Sequence, residues 1–142
     1  MQYLVFVYGT LKKDFPNHQR YMKTARFIGP YQTVEKYPLV LFGDRYVPGL
    51  LNRPGRGHHV EGEVYEMDDK CLAQIDFLEG LHEPDGYRRQ MIAVQSIKRG
   101  EPDQIQAHVY LLDPQLIKDR RSSYLKIYKK KDAARYEPRM ID

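Results

Sequence analysis

Short β-prone segments separated by proline and glycine dominate this sequence, and only one stretch has the spacing of an amphipathic helix. We expect strands over Phe27-Ile28, Tyr31 to Val34, Pro38 to Phe42, Tyr46 to Leu51, Val60 to Tyr65, Tyr87 to Lys98 and Ile105 to Leu111. No β-α-β rhythm connects them, so the sequence predicts an α+β fold and not a Rossmann fold. A small, mixed, mainly antiparallel sheet should curl into a β-barrel with flanking helices. The 142 residues should form a single domain, 1–142.

The first strand precedes these segments and ends in an unusual turn. Its apolar run Leu4-Val5-Phe6-Val7 leads into Tyr8, Gly9, Thr10 and Leu11. A continuous bulky run is typical of a strand buried on both faces. Gly9 lacks a Cβ, which lets the chain turn and lets a ligand approach successive N–H groups that could bind an anion. The alternative is a buried strand with an ordinary turn.

The helix is predicted to begin after Asp68, whose side chain should cap it, and to stop at a left-handed Gly80. A shorter helix, which Asn17 could cap, should run to about Thr24. In the longer helix, an apolar stripe at about 100° per residue contains Cys71, Leu72, Ile75 and Leu78.

Glu79 falls inside this apolar stripe, where a leucine would be expected. It lies one turn beyond Ile75, so it should face the core while Phe77 points away and Asp76 lies at the edge. Burial and the negative end of the helix dipole both disfavour the charged carboxylate, so its pKa should rise toward the range useful for proton transfer. Alternatively, the helix ends early and Glu79 turns to solvent.

Hydropathy and charge predict where the protein is located and which partners it lacks. The sequence has no apolar stretch of transmembrane length and no signal-peptide pattern at its start, so we expect a soluble, cytoplasmic protein without membrane partners. The net charge of +4 comes mainly from Arg120-Arg121 and from Lys126 to Lys131. We expect those lysines to be solvated on a mobile tail and not to bind nucleic acid.

Other candidate sites lack the spacing that their chemistry needs. His58-His59 are adjacent in a glycine-rich turn, which does not aim two imidazoles at one metal ion, and no metal site is predicted. Cys71 should be a small core residue, and Ser122-Ser123 lack a nucleophile elbow. Gly9 to Lys12 lacks the full phosphate-loop pattern.

Several separated segments resemble the gamma-glutamylcyclotransferase-like family over nearly the whole chain. They are Val5 to Lys12, Pro16-Asn17-His18, Tyr37 to Val40, Val60 to Tyr65, Phe77-Leu78-Glu79, Tyr87-Arg88-Arg89 and Arg135 to Arg139. The resemblance implies a barrel-like fold, substrate held by the backbone of Tyr8, Gly9, Thr10 and Leu11, and Glu79 as catalytic acid/base. It implies no cofactor.

The resemblance also implies the reaction, in which a gamma-glutamyl group cyclises to 5-oxoproline and releases its amine. It is strongest to the members of the family that act on gamma-glutamylamines. The segment Ser122 to Lys131 departs from their pattern, which leaves open a leaving group that is an α-amino acid. Two other hypotheses remain: a noncatalytic binder of gamma-glutamyl or carboxylate ligands, and a basic nucleic-acid module.

Overall fold

The computed structural model describes residues 1–98 and 103–138, and this part contains seven strands and three α-helices. The strands are β1 (Gln2–Val7), β2 (Arg26–Thr33), β3 (Leu39–Phe42), β4 (Val47–Leu51), β5 (Glu61–Asp68), β6 (Arg88–Ser96) and β7 (Gln104–Leu112). The helices are α1 (His18–Tyr21), α2 (Asp69–Leu78) and α3 (Lys130–Ala133), and a 3-10 turn covers Pro114–Leu116. Most of the predicted loop from Arg99 to Asp103 lies outside the described residues, as does Arg139.

The strands form one mixed sheet in the order β1-β5-β2-β6-β7-β4-β3, and β1 also pairs with β7. This last pairing closes a five-stranded barrel and is parallel, whereas four of the barrel's pairings are antiparallel. The predicted barrel is therefore confirmed. Two predicted segments, Phe27-Ile28 and Tyr31 to Val34, belong to the single strand β2 up to Thr33, because a bulge between Phe27 and Gly29 lets the strand continue through them.

β1 and β4 share one edge of β7. Val5 of β1 pairs with His108, and further along β7 Leu50 of β4 pairs with Leu111. Tyr8, just beyond the end of β1, bridges the point where one strand replaces the other. Its hydroxyl donates to the Tyr110 carbonyl at 2.8 Å and accepts from the Leu50 N–H at 3.2 Å. The barrel is thus opened at one end, beside the turn after β1.

The apolar run of β1 is buried on both faces, as its sequence predicts. Phe6 packs among the residues that fill the barrel, whereas Val5 and Val7 pack between the barrel and α2. On α2, Leu72 and Ile75 face that second cluster. Side chains alternate along β1 between the cluster inside the barrel and the cluster between the barrel and α2, so β1 contributes to both.

α2 begins and ends at the predicted residues. The Asp68 carboxylate accepts the Cys71 N–H at 2.9 Å, which satisfies one of the free donors of the first turn. Gly80 ends the helix with φ of +71°, a conformation that a side chain would strain. Phe77 is 64% exposed and Cys71 is buried, both as expected. The predicted helix over Asn17 to Thr24 is shorter, and the Asn17 side chain does not cap it.

The C-terminal segment (residues 119–138) is mostly irregular, but it is not the mobile tail that was expected. Its backbone is paired with two strands of the sheet: the Leu125 N–H donates to the Leu39 carbonyl of β3 at 2.8 Å, and the Lys126 carbonyl accepts from the Glu61 N–H of β5 at 2.9 Å. Tyr128 is fully buried, and the buried Lys12 ammonium donates to its carbonyl at 2.6 Å. The lysines from 126 to 131 are exposed on this docked backbone. Among the described residues, no helix is long and apolar enough to cross a membrane.

Candidate active site

A cavity of about 350 Å³ lies where the barrel opens, between the turn after β1 and the end of α2. All five sequence-predicted site residues line it: Tyr8, Gly9, Thr10, Leu11 and Glu79. Among the other residues of its wall, six polar or closely packed ones have no role predicted from the sequence: Asn17, Arg45, Pro48, Tyr87, Tyr110 and Tyr136. The structure thus brings together a turn and a helix end that are about 70 residues apart in the chain.

The turn after β1 presents unpaired backbone donors. The N–H groups of Gly9, Thr10 and Leu11 have no hydrogen-bond acceptor within residues 1–98 and 103–138. The carbonyls of Gly9 and Thr10 are bonded, by the Lys12 N–H at 3.1 Å and the Asn17 N–H at 2.9 Å. Because both carbonyls are held, the turn is fixed while its amides stay available. Three such amides are suited to bind an anion.

Gly9 is required by packing more than by backbone conformation. It is not among the glycines with positive φ, so the conformational freedom expected from the sequence is not used here. A Cβ at this position would instead lie 2.8 Å from Pro48 Cγ on β4. The absence of a side chain therefore lets the turn after β1 pack closely against β4.

Glu79 is the residue directly after α2, and its backbone is held from both sides. Its N–H donates to the Ile75 carbonyl at 2.9 Å, and its own carbonyl accepts the Tyr87 N–H at 3.0 Å. The side chain is partly buried at the cavity wall. Within the described residues, its carboxyl group has neither a hydrogen bond nor an ion pair. Burial, and to a lesser extent the Asp76 charge, raise its pKa to about 8.

A polar network supports the wall behind Glu79. Asp76, one turn earlier on α2, receives two hydrogen bonds from the Arg89 guanidinium, at 2.9 and 3.3 Å. It also accepts from the Tyr110 hydroxyl at 2.7 Å. Asp76 was expected at the edge of the apolar stripe and is in fact tied to both β6 and β7. The network fixes α2 against the barrel and places a paired charge near Glu79.

Tyr8 and Tyr87 line the same cavity as the Glu79 carboxyl group. Burial is the main reason that the pKa values of the Tyr8 and Tyr87 hydroxyls lie well above their ordinary range, and the Glu79 charge adds to both shifts. Tyr87 donates to the Pro48 carbonyl at 2.8 Å, so both phenols are neutral donors whose protons are already committed to backbone carbonyls. Both phenols therefore stay protonated and do not compete with Glu79 for the proton.

The β3–β4 turn and the C-terminal segment also contribute to the cavity wall. Arg45 of that turn donates to the Glu137 carbonyl at 3.1 Å, and the Glu137 N–H donates to the Arg45 carbonyl at 3.0 Å. Tyr136 lines the cavity next to this pair. These residues could not be assigned to the site from local patterns. Of the six wall residues with no predicted role, three lie in segments that carry the family resemblance: Asn17, Tyr87 and Tyr136.

No three His, Cys, Asp or Glu side chains within residues 1–98 and 103–138 are grouped so as to hold a metal ion. The cavity offers one carboxyl group that can transfer a proton and, in the same wall, a backbone anion site. Such a pair can rearrange a ligand that carries its own carboxylate and its own nucleophile.

The chain is similar in sequence and fold to known proteins. A family model described as gamma-glutamyl cyclotransferase, AIG2-like, matches residues 5–132. Gamma-glutamylaminecyclotransferase B of Danio rerio is 46% identical over 112 residues, which covers 75% of this chain and 58% of that protein. Gamma-glutamylaminecyclotransferase of Rattus norvegicus is 40% identical over 114 residues, or 75% of each chain. The crystal structure of an AIG2-like protein from Mus musculus superposes with a TM-score of 0.82 at 34% identity, over 99% of both chains.

Proposed function

The chain belongs to the gamma-glutamyl cyclotransferase, AIG2-like family, and from this we propose that it is a gamma-glutamylamine cyclotransferase. It would convert a gamma-glutamylamine to 5-oxoproline and the free amine. One observation carries the proposal: the carboxyl group of Glu79, with its pKa raised to about 8, shares one cavity with the unpaired N–H groups of Gly9, Thr10 and Leu11.

In the proposed complex, the substrate's α-carboxylate binds the three amides. A carboxylate has enough lone pairs for several N–H donors, and charge-assisted bonds of this kind are stronger than neutral ones. This contact orients the gamma-glutamyl group so that its α-amine folds back onto its own γ-carbonyl. Holding the substrate as this conformer supplies a large part of the rate, because the attack is intramolecular.

Glu79 then moves one proton. The α-nitrogen forms a bond to the γ-carbon, and the ionised carboxyl group of Glu79 takes a proton from that nitrogen. The bond from the γ-carbon to the departing nitrogen breaks as Glu79 returns the proton to it. The products are 5-oxoproline and a free amine, and no water is consumed. A pKa near the working pH suits a group that is first base and then acid.

We propose a side-chain amine, as in γ-glutamyl-ε-lysine, as the leaving group. The relatives named above carry aminecyclotransferase in their names. An amine on a methylene chain is unbranched next to the scissile bond, so a narrow channel could admit it and exclude an α-amino acid. The exposed lysines from 126 to 131 do not line the cavity, so they give no direct attraction to an anionic leaving group.

The proposal is tested with purified protein and a panel of γ-glutamyl compounds, assayed for 5-oxoproline. We expect turnover of γ-glutamyl-ε-lysine with a kcat/KM clearly above that for γ-glutamyl-alanine. The reverse preference would reject the amine as leaving group but keep the cyclisation. Binding of 5-oxoproline without any turnover would instead support a noncatalytic carboxylate binder.

A further inference from the structure

Tyr136, which the C-terminal segment places in the cavity wall, has a hydroxyl group that the Asn17 side chain links to Thr10, in the turn after β1 that carries the backbone donors. We propose that this hydroxyl is a further substrate-binding group that donates a hydrogen bond to the α-carboxylate of the gamma-glutamyl group. The inference rests on the proposed function, because that function is what assigns the carboxylate to the amides of Gly9, Thr10 and Leu11.

Asn17 connects Tyr136 to this turn. Its side-chain Nδ2 donates to Thr10 Oγ1 at 2.9 Å and to the Tyr136 hydroxyl at 3.2 Å. The Asn17 backbone N–H donates to the Thr10 carbonyl at 2.9 Å. A single amide side chain therefore holds Tyr136 and Thr10 in a fixed relation. Whatever group binds the Thr10 amide lies near the Tyr136 hydroxyl.

The proton of that hydroxyl is available to a ligand. A phenol has one proton to donate and oxygen lone pairs to accept. Towards Asn17 the Tyr136 oxygen accepts, and it has no other hydrogen-bond partner within residues 1–98 and 103–138. Since Tyr136 is only partly buried and lines the cavity, its remaining proton can reach an acceptor there. A carboxylate is a strong acceptor for a hydroxyl group.

The fold holds Tyr136 in place before any ligand binds. The paired backbone and side-chain bonds between Arg45 and Glu137 fix the next residue in the chain. The Arg135 guanidinium, on the preceding residue, stacks 4.8 Å from the centre of the Tyr46 ring. Both contacts are to the β3–β4 turn, so Tyr136 lies between two anchored residues. A donor that is already in position loses little entropy when it binds its acceptor.

The test compares Tyr136→Phe with wild type and with the control Tyr124→Phe. Tyr124 is a partly buried tyrosine of the same segment that does not line the cavity. Phenylalanine keeps the ring and removes only the hydroxyl. KM and kcat are measured with γ-glutamyl-ε-lysine, the affinity for 5-oxoproline by calorimetry, and folding by thermal unfolding.

We expect Tyr136→Phe to raise KM and to weaken 5-oxoproline binding about tenfold or more, as expected for losing a hydrogen bond to a charged group. Its kcat should stay within about twofold of wild type, and the pH dependence of kcat should not move, because the lost contact is equal in ground and transition states. Tyr124→Phe should match wild type.

Unchanged KM and unchanged 5-oxoproline affinity in Tyr136→Phe would overturn the inference. A loss of kcat with KM unchanged would also overturn it, since the hydroxyl would then act on the γ-carbonyl oxygen in the transition state. If the wild-type protein makes no 5-oxoproline, the proposed function fails. The calorimetric affinities then still decide whether the Tyr136 hydroxyl binds the carboxylate.

Discussion

Replacing Glu79 with glutamine should make the protein more stable at alkaline pH, and the gain follows from the environment of this carboxyl group. Its pKa is about 8 in the folded protein, against 4.5 for an ordinary glutamate. Between these two values the folded protein binds more protons than the unfolded chain. Stability is therefore lost as the pH rises from about 4.5 to 8, because Glu79 must either stay protonated or ionise in a buried site.

The magnitude comes from the size of that window. Each pH unit inside it costs about 1.4 kcal/mol, which gives a limit of about 5 kcal/mol above pH 8. The Glu79 side chain is only partly buried and faces a cavity that water can enter, so we expect a smaller effect, about 2–4 kcal/mol. Glutamine keeps the shape and cannot ionise. The variant and wild type should therefore be equally stable near pH 4.5 and diverge above it.

Urea unfolding of wild type and Glu79→Gln at pH 5, 7 and 8.5 measures this difference. The control is Glu35→Gln, an exposed glutamate away from the cavity, which should show no widening gap with pH. A stability difference for Glu79→Gln that is constant across pH would refute the reasoning. So would a wild type that is the more stable protein at pH 8.5.

Two further variants test the surroundings of Glu79. Asp76→Asn removes a negative charge that raises the Glu79 pKa, so the acid limb of the pH profile of kcat should move to lower pH. An unchanged acid limb, or one at higher pH, would contradict the effect of the Asp76 charge on Glu79. Gly9→Ala puts a Cβ 2.8 Å from Pro48 and should lower the free energy of unfolding by about 1–3 kcal/mol, measured by urea unfolding. Gly29→Ala is its control, because a Cβ at position 29 would lie at an ordinary 3.6 Å from its nearest neighbour. Equal losses of unfolding free energy in the two variants would exclude the Pro48 contact as the cause.

The parts of the fold and site that could be predicted from the sequence depend on local periodicity. Leu72, Ile75 and Glu79 recur at the spacing of one helix face, so the inward direction of Glu79 follows from the helix alone. The unbroken run in β1 indicates burial on both faces in the same way. In both cases, the signal lies within about a dozen residues of chain.

The remaining parts depend on contacts between distant segments. The parallel pairing of β1 and β4 along one edge of β7 leaves no pattern in any of the three strands. The helix pattern predicts only that Asp76 lies at the edge of the apolar stripe. Its partners Arg89 and Tyr110 come from β6 and β7, so that pattern contains no sign of them. The bond between Asn17 and Tyr136 joins residues 119 positions apart, so no sequence window could reveal it.

The central claim is that Glu79 transfers the proton in ring closure, and one measurement tests it most directly. Wild type and Glu79→Gln are incubated with γ-glutamyl-ε-lysine, 5-oxoproline is quantified over time, and circular dichroism checks that both are folded. Glutamine cannot accept the proton, so we expect wild type to form 5-oxoproline and the folded variant to lose at least about 100-fold in kcat. A folded Glu79→Gln protein that keeps most of the wild-type rate would contradict the claim.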